Sequence, residues 1–223
     1  MSSLITGSTF VPKDEQEREL ERKLEEDIIF GRFAPGSRLI EDVLMARYGA
    51  KRHAVRKALS RLERVGIVQI IKNIGATVKS YSREEVEQIY FVRELLVRSA
   101  TLMIQIPIGS EAIREIEVLQ EQYESHVNEG NLRAIHQVND AFHLRIFEEC
   151  RNLYLVRSIK EYMGLTLPMR AKSLATSQGL STSVSHHRLI IELLKGKDIW
   201  ALSQINIQHL SASKEDYISN IKT

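Results

Sequence analysis

From Ser82 to the C-terminus, apolar residues recur every three or four positions, and no stretch alternates apolar and polar residues as a strand would. Helical segments are predicted at 83–105, 111–129, 131–149, 152–174, 182–195 and 197–220. The serine-rich stretch 173–185 is the longest loop in this prediction. Because amphipathic helices in succession can bury their apolar faces only against one another, we expect an all-α, antiparallel helical bundle.

The first 80 residues have a different pattern, which predicts three helices followed by a β-hairpin. The first helix is predicted at 14–31, with Leu20, Leu24 and Ile28 on its apolar stripe. The next two are IEDVLMARYG, which ends at Gly49, and AKRHAVRKALSRLERVGI, which ends at Gly66. The following IVQIIKNIGATVKSY has β-rich runs on both sides of a Gly-containing tip, which is typical of a hairpin.

The third helix is basic on one side only. Residues 44–80 contain nine Lys or Arg and one acid, although the whole chain has a formal charge of only +2. The predicted apolar face holds Val55, Ala58, Leu59, Leu62 and Val65, and the opposite face holds His53, Arg56, Lys57, Ser60 and Arg64. Lys51 and Arg52 lie in the first turn, where the helix dipole disfavours cations, so helix stability alone would not select them. A winged helix-turn-helix on DNA explains this better than a solvated charged surface.

The stretch IIFGRFAPGSRLIEDVLMARYGAKRHAVRKALSRLERVGIVQIIKNIGATV resembles the winged helix of GntR-family bacterial transcription regulators. Its matching motifs are PGxRL, VRxALxRLExxG and the N-x-G wing tip. The resemblance implies DNA contacts from Arg38, Lys51, Arg52, His53, Arg56 and the wing around Gly75. Arg52 and Arg56 are the expected base contacts, and Arg38 the expected phosphate contact. His53-Ala54 and Ile74 depart from the family pattern of Ser/Thr-Pro and Arg, so the resemblance implies the fold but not the operator sequence.

Three of the predicted bundle helices turn a histidine toward their apolar face. His143 lies one helical turn after Asn139, and His187 and His209 share stripes with the Ile and Leu residues of their own helices. An inward imidazole is either a hydrogen-bonded core residue or, where several converge, a ligand to a divalent transition metal. The spacing of the residues leaves both interpretations open.

Residues 83–220 resemble the FCD effector-binding domain that follows the winged helix in one branch of the GntR family. The matching motifs are NDAFHLRIFEECRN, HHRLIIELLKGKD and the terminal QHL. Six helices rather than seven would place the domain in the VanR-like group. The resemblance implies a metal, zinc or nickel, held by Asn139, His143, His187 and His209. Many members carry Asp where this chain has Asn139, so weaker metal binding is expected, and His136 and His186 are off the pattern and expected not to be ligands.

The same resemblance implies a small carboxylate or sugar-acid effector. Arg93 matches a family arginine that faces the effector cavity, and Val97 stands where many members carry Glu. A guanidinium there would pair with the effector carboxylate through two hydrogen bonds. The alternative is a surface ion pair between Arg93 and a nearby glutamate.

The sequence therefore predicts a metabolite-responsive transcription regulator that binds a palindromic DNA operator as a homodimer. The expected parts are a flexible N-terminal arm at 1–13, a winged helix-turn-helix at 14–80, and an all-helical effector and dimerisation domain at 82–223. A single cysteine, no secretory signal and no apolar run of about 20 residues favour a cytoplasmic, nucleoid-associated protein without a membrane partner. The alternatives are an architectural DNA-binding protein with a metal-free bundle, and a metalloenzyme, for which HExxH, a nucleophile elbow and a phosphate loop are all lacking.

Overall fold

A computed structural model of the protein describes residues 13–64 and 66–219. Within those residues the chain forms ten helices and two strands. It divides into two compact units: unit 1 takes in the residues up to Ile28 and Arg32–Lys79, and unit 2 takes in Ile29–Gly31 and the residues from Ser80 onward. The predicted arm at 1–13 lies outside the described residues except for Lys13, and Val65 is also outside them.

Unit 1 consists of three helices and a hairpin, in the predicted order. The elements are α1 (Lys13–Ile29), α2 (Glu41–Tyr48), α3 (Arg52–Arg64), β1 (Val68–Ile71) and β2 (Gly75–Val78). The strands are antiparallel, and Ile71 pairs with Gly75 across the turn. Asn73 and Gly75 have φ angles of 66° and 97°, in the left-handed region that Gly and Asn tolerate best. These two residues let the chain reverse over a very short loop.

The predicted apolar stripes of α1 and α3 are buried. They comprise Leu20, Leu24 and Ile28 on α1, and Val55, Ala58, Leu59 and Leu62 on α3. Two ion pairs also join these helices: Lys57 donates to Glu17 at 2.5 Å and Arg61 to Glu21 at 2.7 Å. α2 ends at Gly49, whose φ of 62° turns the chain sharply into α3. This packing holds α3 by one face and leaves its other face to solvent.

Unit 2 is an all-helical bundle, but it has seven helices in the described part of the chain where six were predicted. They are α4 (Arg83–Met103), α5 (Ser110–Glu129), α6 (Leu132–Glu148), α7 (Leu153–Leu165), α8 (Leu167–Ser173), α9 (Ser177–Lys195) and α10 (Ile199–Ser219). The helix predicted at 152–174 is divided at Thr166, because Pro168 has no amide hydrogen to continue α7 and instead lies in the first turn of α8. The helix count therefore gives no support to the VanR-like group.

The serine-rich stretch 173–185 was wrongly predicted as a loop. α9 begins at Ser177, because the Thr176 hydroxyl caps the helix by accepting a hydrogen bond from the Gly179 amide at 3.0 Å. Inside the helix the Ser185 hydroxyl donates to the Ser181 carbonyl at 2.9 Å. Hydroxyls that the sequence suggested would favour a loop are thus satisfied by the helix itself.

The core of unit 2 takes in buried residues from all seven of its described helices, α4 to α10. α10 packs against α4, α8 and α9, and α5 packs against α6 and α9. Tyr123, Phe142, Ile146, Ile190 and Leu202 are fully buried there. Among the described residues, no helix is both long enough and apolar enough to cross a membrane. The inward faces of α6, α9 and α10 position the candidate site described next.

Candidate functional sites

The outward face of α3 carries exposed cations. The side chains of Arg52, His53 and Arg56 are 51%, 54% and 64% exposed, and Lys51 is exposed immediately before the helix. The sequence prediction of a basic face opposite a buried apolar face is therefore confirmed for the described residues of α3. A helix packed in this way can bind a polyanion through its exposed cations while its buried face stays in the core.

Acidic residues of α2, which the sequence analysis did not single out, pair with these arginines. The Nη1 of Arg52 donates to Glu41 at 3.3 Å and its Nη2 to Asp42 at 2.5 Å. The Nε of Arg56 donates to both carboxylate oxygens of Glu41, at 2.8 and 3.0 Å. These hydrogen bonds, the one from Arg56 above all, lower the pKa of Glu41. Glu41 therefore stays ionised and fixes the positions of two predicted DNA contacts.

Arg38 lies beside the hairpin tip, which includes Gly75. The Nη2 of Arg38 donates to the carbonyl of Ile74 at 2.6 Å, and Arg38 also forms a backbone bridge with Thr77. Arg38 thus borders the hairpin tip, as a phosphate contact beside a wing would require.

Within unit 2, His143, His187 and His209 form a histidine cluster. They come from α6, α9 and α10, and their candidate ligand atoms all lie within 4.8 Å of one another. The Nε2 of His143 is 2.9 Å from the Nε2 of His209 and 3.2 Å from that of His187. The structure therefore brings together three of the four residues that the sequence suggested as metal ligands. Their ring nitrogens face each other.

His187 is held in one orientation by its neighbours. Its Nδ1 lies 2.8 Å from the Oε1 of Gln120, and since an amide oxygen can only accept, Nδ1 carries the hydrogen. Its ring stacks on Phe142 at 4.1 Å between centroids and is tilted against Tyr123 at 4.9 Å. The lone pair of Nε2 therefore points into the cluster, the arrangement in which a second residue orients a metal-binding histidine. Gln120 was missed in the sequence, although it shares a buried stripe of α5 with Ile116 and Tyr123.

The cluster keeps its imidazoles neutral. Burial lowers the pKa of His187 to about 3, and burial together with the other histidines lowers the pKa values of His143 and His209 well below the usual range. Neutral imidazole is the form that binds metals. At neutral pH all three side chains are therefore competent ligands.

Asn139 lies beside the cluster with an unsatisfied oxygen. It is 2% exposed, lies one turn before His143 on α6, and its Oδ1 has no hydrogen-bond partner among the described residues. A buried acceptor without a donor is costly, by about 1–3 kcal/mol. A cation or a ligand donor at this position would remove that cost.

A cavity of about 380 Å³ adjoins Asn139 and His209. Hydroxyl groups line much of it, from Ser173, Thr176, Thr182, Ser183 and Ser213. Arg170 on α8 also lines it and is 5% exposed; its Nη1 donates to Asp140 at 2.5 Å and its Nη2 to the Met163 carbonyl at 2.9 Å. Its Nε has no partner in the described part of the chain. The volume suits a small polar molecule. The lining offers it the guanidinium of Arg170 together with the carboxylates of Glu215 and Asp216.

Arg170 is a candidate site residue that the sequence prediction did not include. In the sequence it lies at helical spacing from the buried residues Ile159, Met163 and Leu174, so apolar periodicity identifies it as an inward arginine although the structure divides the segment into two helices. An apolar stripe interrupted by Arg was the signal available.

Arg93 on α4 is buried, which excludes the surface ion pair considered from the sequence. It is 3% exposed, its guanidinium lies 5.7 Å from the Tyr90 ring centroid, and its Nε and Nη1 have no acceptor within residues 13–64 and 66–219. Burial and the neighbouring Arg170 lower its pKa to about 10. It does not line the 380 Å³ cavity, but the Tyr90 hydroxyl hydrogen-bonds at 2.9 Å to Ser213, which does.

The two remaining histidines of interest stay outside the cluster. His136 is 7% exposed, and neither ring nitrogen has a partner within the described ranges. His186 has its ring centroid 5.6 Å from that of His209. Neither belongs to the group of mutually close ligand atoms. The expectation that neither is a ligand remains a prediction.

Two family matches cover most of the chain. Residues 16–78 match the family described as bacterial regulatory proteins, gntR family, and residues 88–212 match the FCD domain. The chain belongs to the GntR family and carries an FCD domain. The resemblance to GntR-family regulators with an FCD domain, noted from the sequence, is confirmed. The predicted fold class, a winged helix-turn-helix followed by an all-helical domain, is confirmed as well.

Similarity to known proteins extends over most of the chain. It is 25% identical over 190 residues to the uncharacterized HTH-type transcriptional regulator YdhC of Bacillus subtilis (strain 168), covering 85% of each chain. It is 22% identical over 200 residues to the HTH-type transcriptional repressor GlaR of Escherichia coli (strain K12), covering 85% of this chain and 90% of GlaR. The solved structure of E. coli McbR/YncC has the same fold, with a TM-score of 0.71, 20% identity, and coverage of 96% of this chain and 100% of that one. The family, YdhC and GlaR are transcription regulators, so the prediction that the protein is not an enzyme is confirmed.

Proposed function

We propose that this GntR-family regulator responds to a small acidic metabolite, which binds beside a metal held by the histidine cluster and changes the affinity of a homodimer for a palindromic operator. The observation that carries the proposal is the convergence of three neutral histidine nitrogens next to a cavity lined by a buried arginine. The family accounts for DNA binding and transcription regulation. The metal, the effector and the dimer are the proposed parts.

The residues present fit a transition metal. For a metal–nitrogen distance of about 2.0–2.1 Å, neighbouring ligand nitrogens lie about 2.9 Å apart in octahedral and about 3.4 Å apart in tetrahedral coordination. Two of the three nitrogen pairs, His143–His209 at 2.9 Å and His143–His187 at 3.2 Å, fall within this range, and the ligand atoms of all three residues lie within 4.8 Å of one another. His143, His187 and His209 would hold zinc or nickel, and the unsatisfied Oδ1 of Asn139 would be the fourth protein ligand. The metal would supply a Lewis-acidic position that favours a carboxylate.

The effector would be bound from the protein side by guanidinium groups. Arg170 lines the cavity. Arg93 lies outside the cavity lining, but it is buried and has two nitrogens without an acceptor in the described structure, which would suit an effector carboxylate. A carboxylate accepts two parallel hydrogen bonds from such a group. The lining hydroxyls suit a hydroxylated acid, such as a sugar acid, because each hydroxyl can donate and accept.

Exposed apolar residues support the homodimer. On α4, Phe91, Leu95 and Leu102 recur at helical spacing and are 65%, 49% and 38% exposed. A second copy covering this stripe would bury a continuous apolar surface. A two-fold dimer would also place two α3 helices on half-sites about 34–36 Å apart on the same side of the duplex.

At the DNA, α3 would enter the major groove. We propose base contacts from Arg52 and Arg56, further contacts from Lys51 and His53, and phosphate contacts from Arg38 and the wing at Gly75. The exposure of the α3 cations and the position of Arg38 at the hairpin tip support these roles.

An architectural DNA-binding protein with a metal-free bundle is the second candidate. It is favoured by a hydrogen bond that the histidines can make without any metal: with the hydrogen of His187 on Nδ1, the Nε2 of a neutral His143 can donate to the Nε2 of His187. In that case the cavity would have no regulatory ligand.

The test is operator affinity measured in the presence of acids. An operator would be selected in vitro from random duplexes, and its dissociation constant measured by fluorescence anisotropy with acetate, malate, citrate and gluconate, each with and without Zn²⁺. The proposal predicts that at least one acid changes the affinity about fivefold or more, and that the change requires Zn²⁺ and is lost in His187→Ala. If no acid or metal alters affinity although the operator is bound specifically, the architectural alternative is favoured.

A further inference from the structure

The ion pairs that Arg52 and Arg56 of α3 form with the acids of α2 are not equivalent. They differ in which arginine nitrogens remain free to donate a hydrogen bond to DNA. Arg56 gives only its Nε to Glu41, and no described residue accepts a hydrogen bond from its Nη1 or Nη2. Arg52, in contrast, gives both of its terminal nitrogens to Glu41 and Asp42. One arginine is therefore held at its inner nitrogen, and the other is occupied at its outer nitrogens.

This distinction matters for reading DNA. An arginine recognises guanine through two hydrogen bonds, to O6 and N7 in the major groove, made by a pair of its nitrogens. An exposed arginine otherwise samples many rotamers, and binding must then immobilise it. A carboxylate that holds Nε fixes the plane of the guanidinium and leaves its outer edge free. Arg56 meets this description in the DNA-free protein.

Glu41 is well suited to this positioning task. It is the first residue of α2, where the helix dipole stabilises an anion, and its side chain is 28% exposed. Asp42, the next residue, has a side chain that is 72% exposed, and within the described part of the chain that side chain forms an ion pair with Arg52 alone. The two acids share the first turn of α2 and the same charge, but only Glu41 contacts Arg56.

We propose that Glu41 is a positioning residue for sequence readout, which orients Arg56 so that its two terminal nitrogens meet O6 and N7 of one guanine in each operator half-site. The inference rests on the proposed DNA contacts of α3. Glu41 would not contact the guanine itself. Asp42 pairs with Arg52 instead, so removing it should leave the reading of that guanine by Arg56 unchanged.

The alternative is simple charge repulsion, and Asp42 provides a matched control. Removing any acid near the duplex raises affinity for all DNA, because fewer negative charges face the phosphates. Glu41→Ala and Asp42→Ala remove equal charge from the same helical turn, so their electrostatic and dipole effects should be alike. Only Glu41→Ala should impair discrimination at the guanine read by Arg56.

The experiment replaces each operator guanine in turn by 7-deazaguanine, which lacks the N7 acceptor but still pairs with cytosine. Anisotropy would give the affinity of wild type, Glu41→Ala, Asp42→Ala and Arg56→Ala for each duplex, and circular dichroism would check that the variants are folded. At one guanine per half-site we expect wild type and Asp42→Ala to lose about fivefold or more, and Glu41→Ala and Arg56→Ala less than about twofold. Glu41→Gln, which keeps an acceptor oxygen, should fall between.

The outcomes separate this inference from the wider proposal. If Glu41→Ala retains the wild-type penalty, or if Asp42→Ala loses it equally, Glu41 does not position Arg56. If wild type is insensitive at every guanine but still prefers its operator, Arg56 does not read guanine N7, and the inference is wrong while the regulator proposal stands. If wild type shows no preference for any duplex, the proposed operator binding fails and this inference fails with it.

Discussion

The pair Asp140–Arg170 offers a sharp test of how charge is balanced in the bundle. The Arg170 side chain is 6% exposed and the Asp140 carboxylate 34% exposed, so the pair is intermediate between a surface and a buried ion pair. Exposed pairs contribute about 0.2–1 kcal/mol, whereas removing one partner of a buried pair costs about 3–5 kcal/mol. Asp140→Asn keeps the shape but removes the charge. We therefore expect the free energy of unfolding to fall by about 2 kcal/mol, between these limits.

The expected loss is measurable by calorimetry. For a protein of this size, about 2 kcal/mol lowers the Tm by roughly 4–8 °C. The cause would be the uncompensated charge of buried Arg170, whose neighbour Arg93 is also cationic. Adding Arg170→Met to Asp140→Asn removes that charge and fills the space, so the double variant should melt above Asp140→Asn. A Tm for Asp140→Asn within about 1 °C of wild type, or a double variant less stable than the single one, would refute the reasoning.

Two further predictions concern pH and packing. Burial lowers the pKa of His136 to about 4, so as the pH falls below 6.5 the unfolded chain protonates this residue before the folded state does. His136 alone therefore contributes a loss of about 1 kcal/mol of stability by pH 5.5, in addition to the losses from the clustered histidines. Urea titrations from pH 7.5 to 5.5 should show this loss, and His136→Gln should reduce it; an unchanged slope would contradict it. A Cβ added at Gly179 would lie 2.2 Å from the Ser173 carbonyl oxygen, so Gly179→Ala should lower the Tm by several degrees. Gly164→Ala, whose Cβ meets nothing within 4 Å, should leave the Tm unchanged or slightly raised, and equal effects of the two would show that the crowding is unimportant.

Local periodicity was sufficient to predict most of the fold. The stripes of α1 and α3, the Gly49 turn and the hairpin tip are each determined by residues within a few positions of one another. The errors arose where one local signal outweighed another. Pro168 divides a segment whose apolar pattern is continuous, and Thr176 starts a helix in a stretch whose composition favours a loop. Neither outcome follows from apolar spacing alone.

The sites were predicted less completely, because their partners are distant in sequence. The inward histidines were visible one helix at a time, but Gln120 is 67 residues from the His187 it orients. Arg170 is 30 residues from Asp140, and Glu41 is 15 residues from Arg56. Such pairs depend on how helices meet, which a single sequence without an alignment does not specify. A search for any polar residue on an apolar stripe would have found Gln120 and Arg170.

The measurement that tests the central claim most directly is the metal content of the purified protein. Wild type, His187→Ala and His136→Ala would be loaded with Zn²⁺, dialysed against metal-free buffer and analysed by inductively coupled plasma mass spectrometry. His136 is the matched control, since it is a buried histidine outside the cluster. We predict about one ion per chain in wild type and His136→Ala, and less than about a tenth of that in His187→Ala. Equal zinc in wild type and His187→Ala would contradict a metal centre at the histidine cluster.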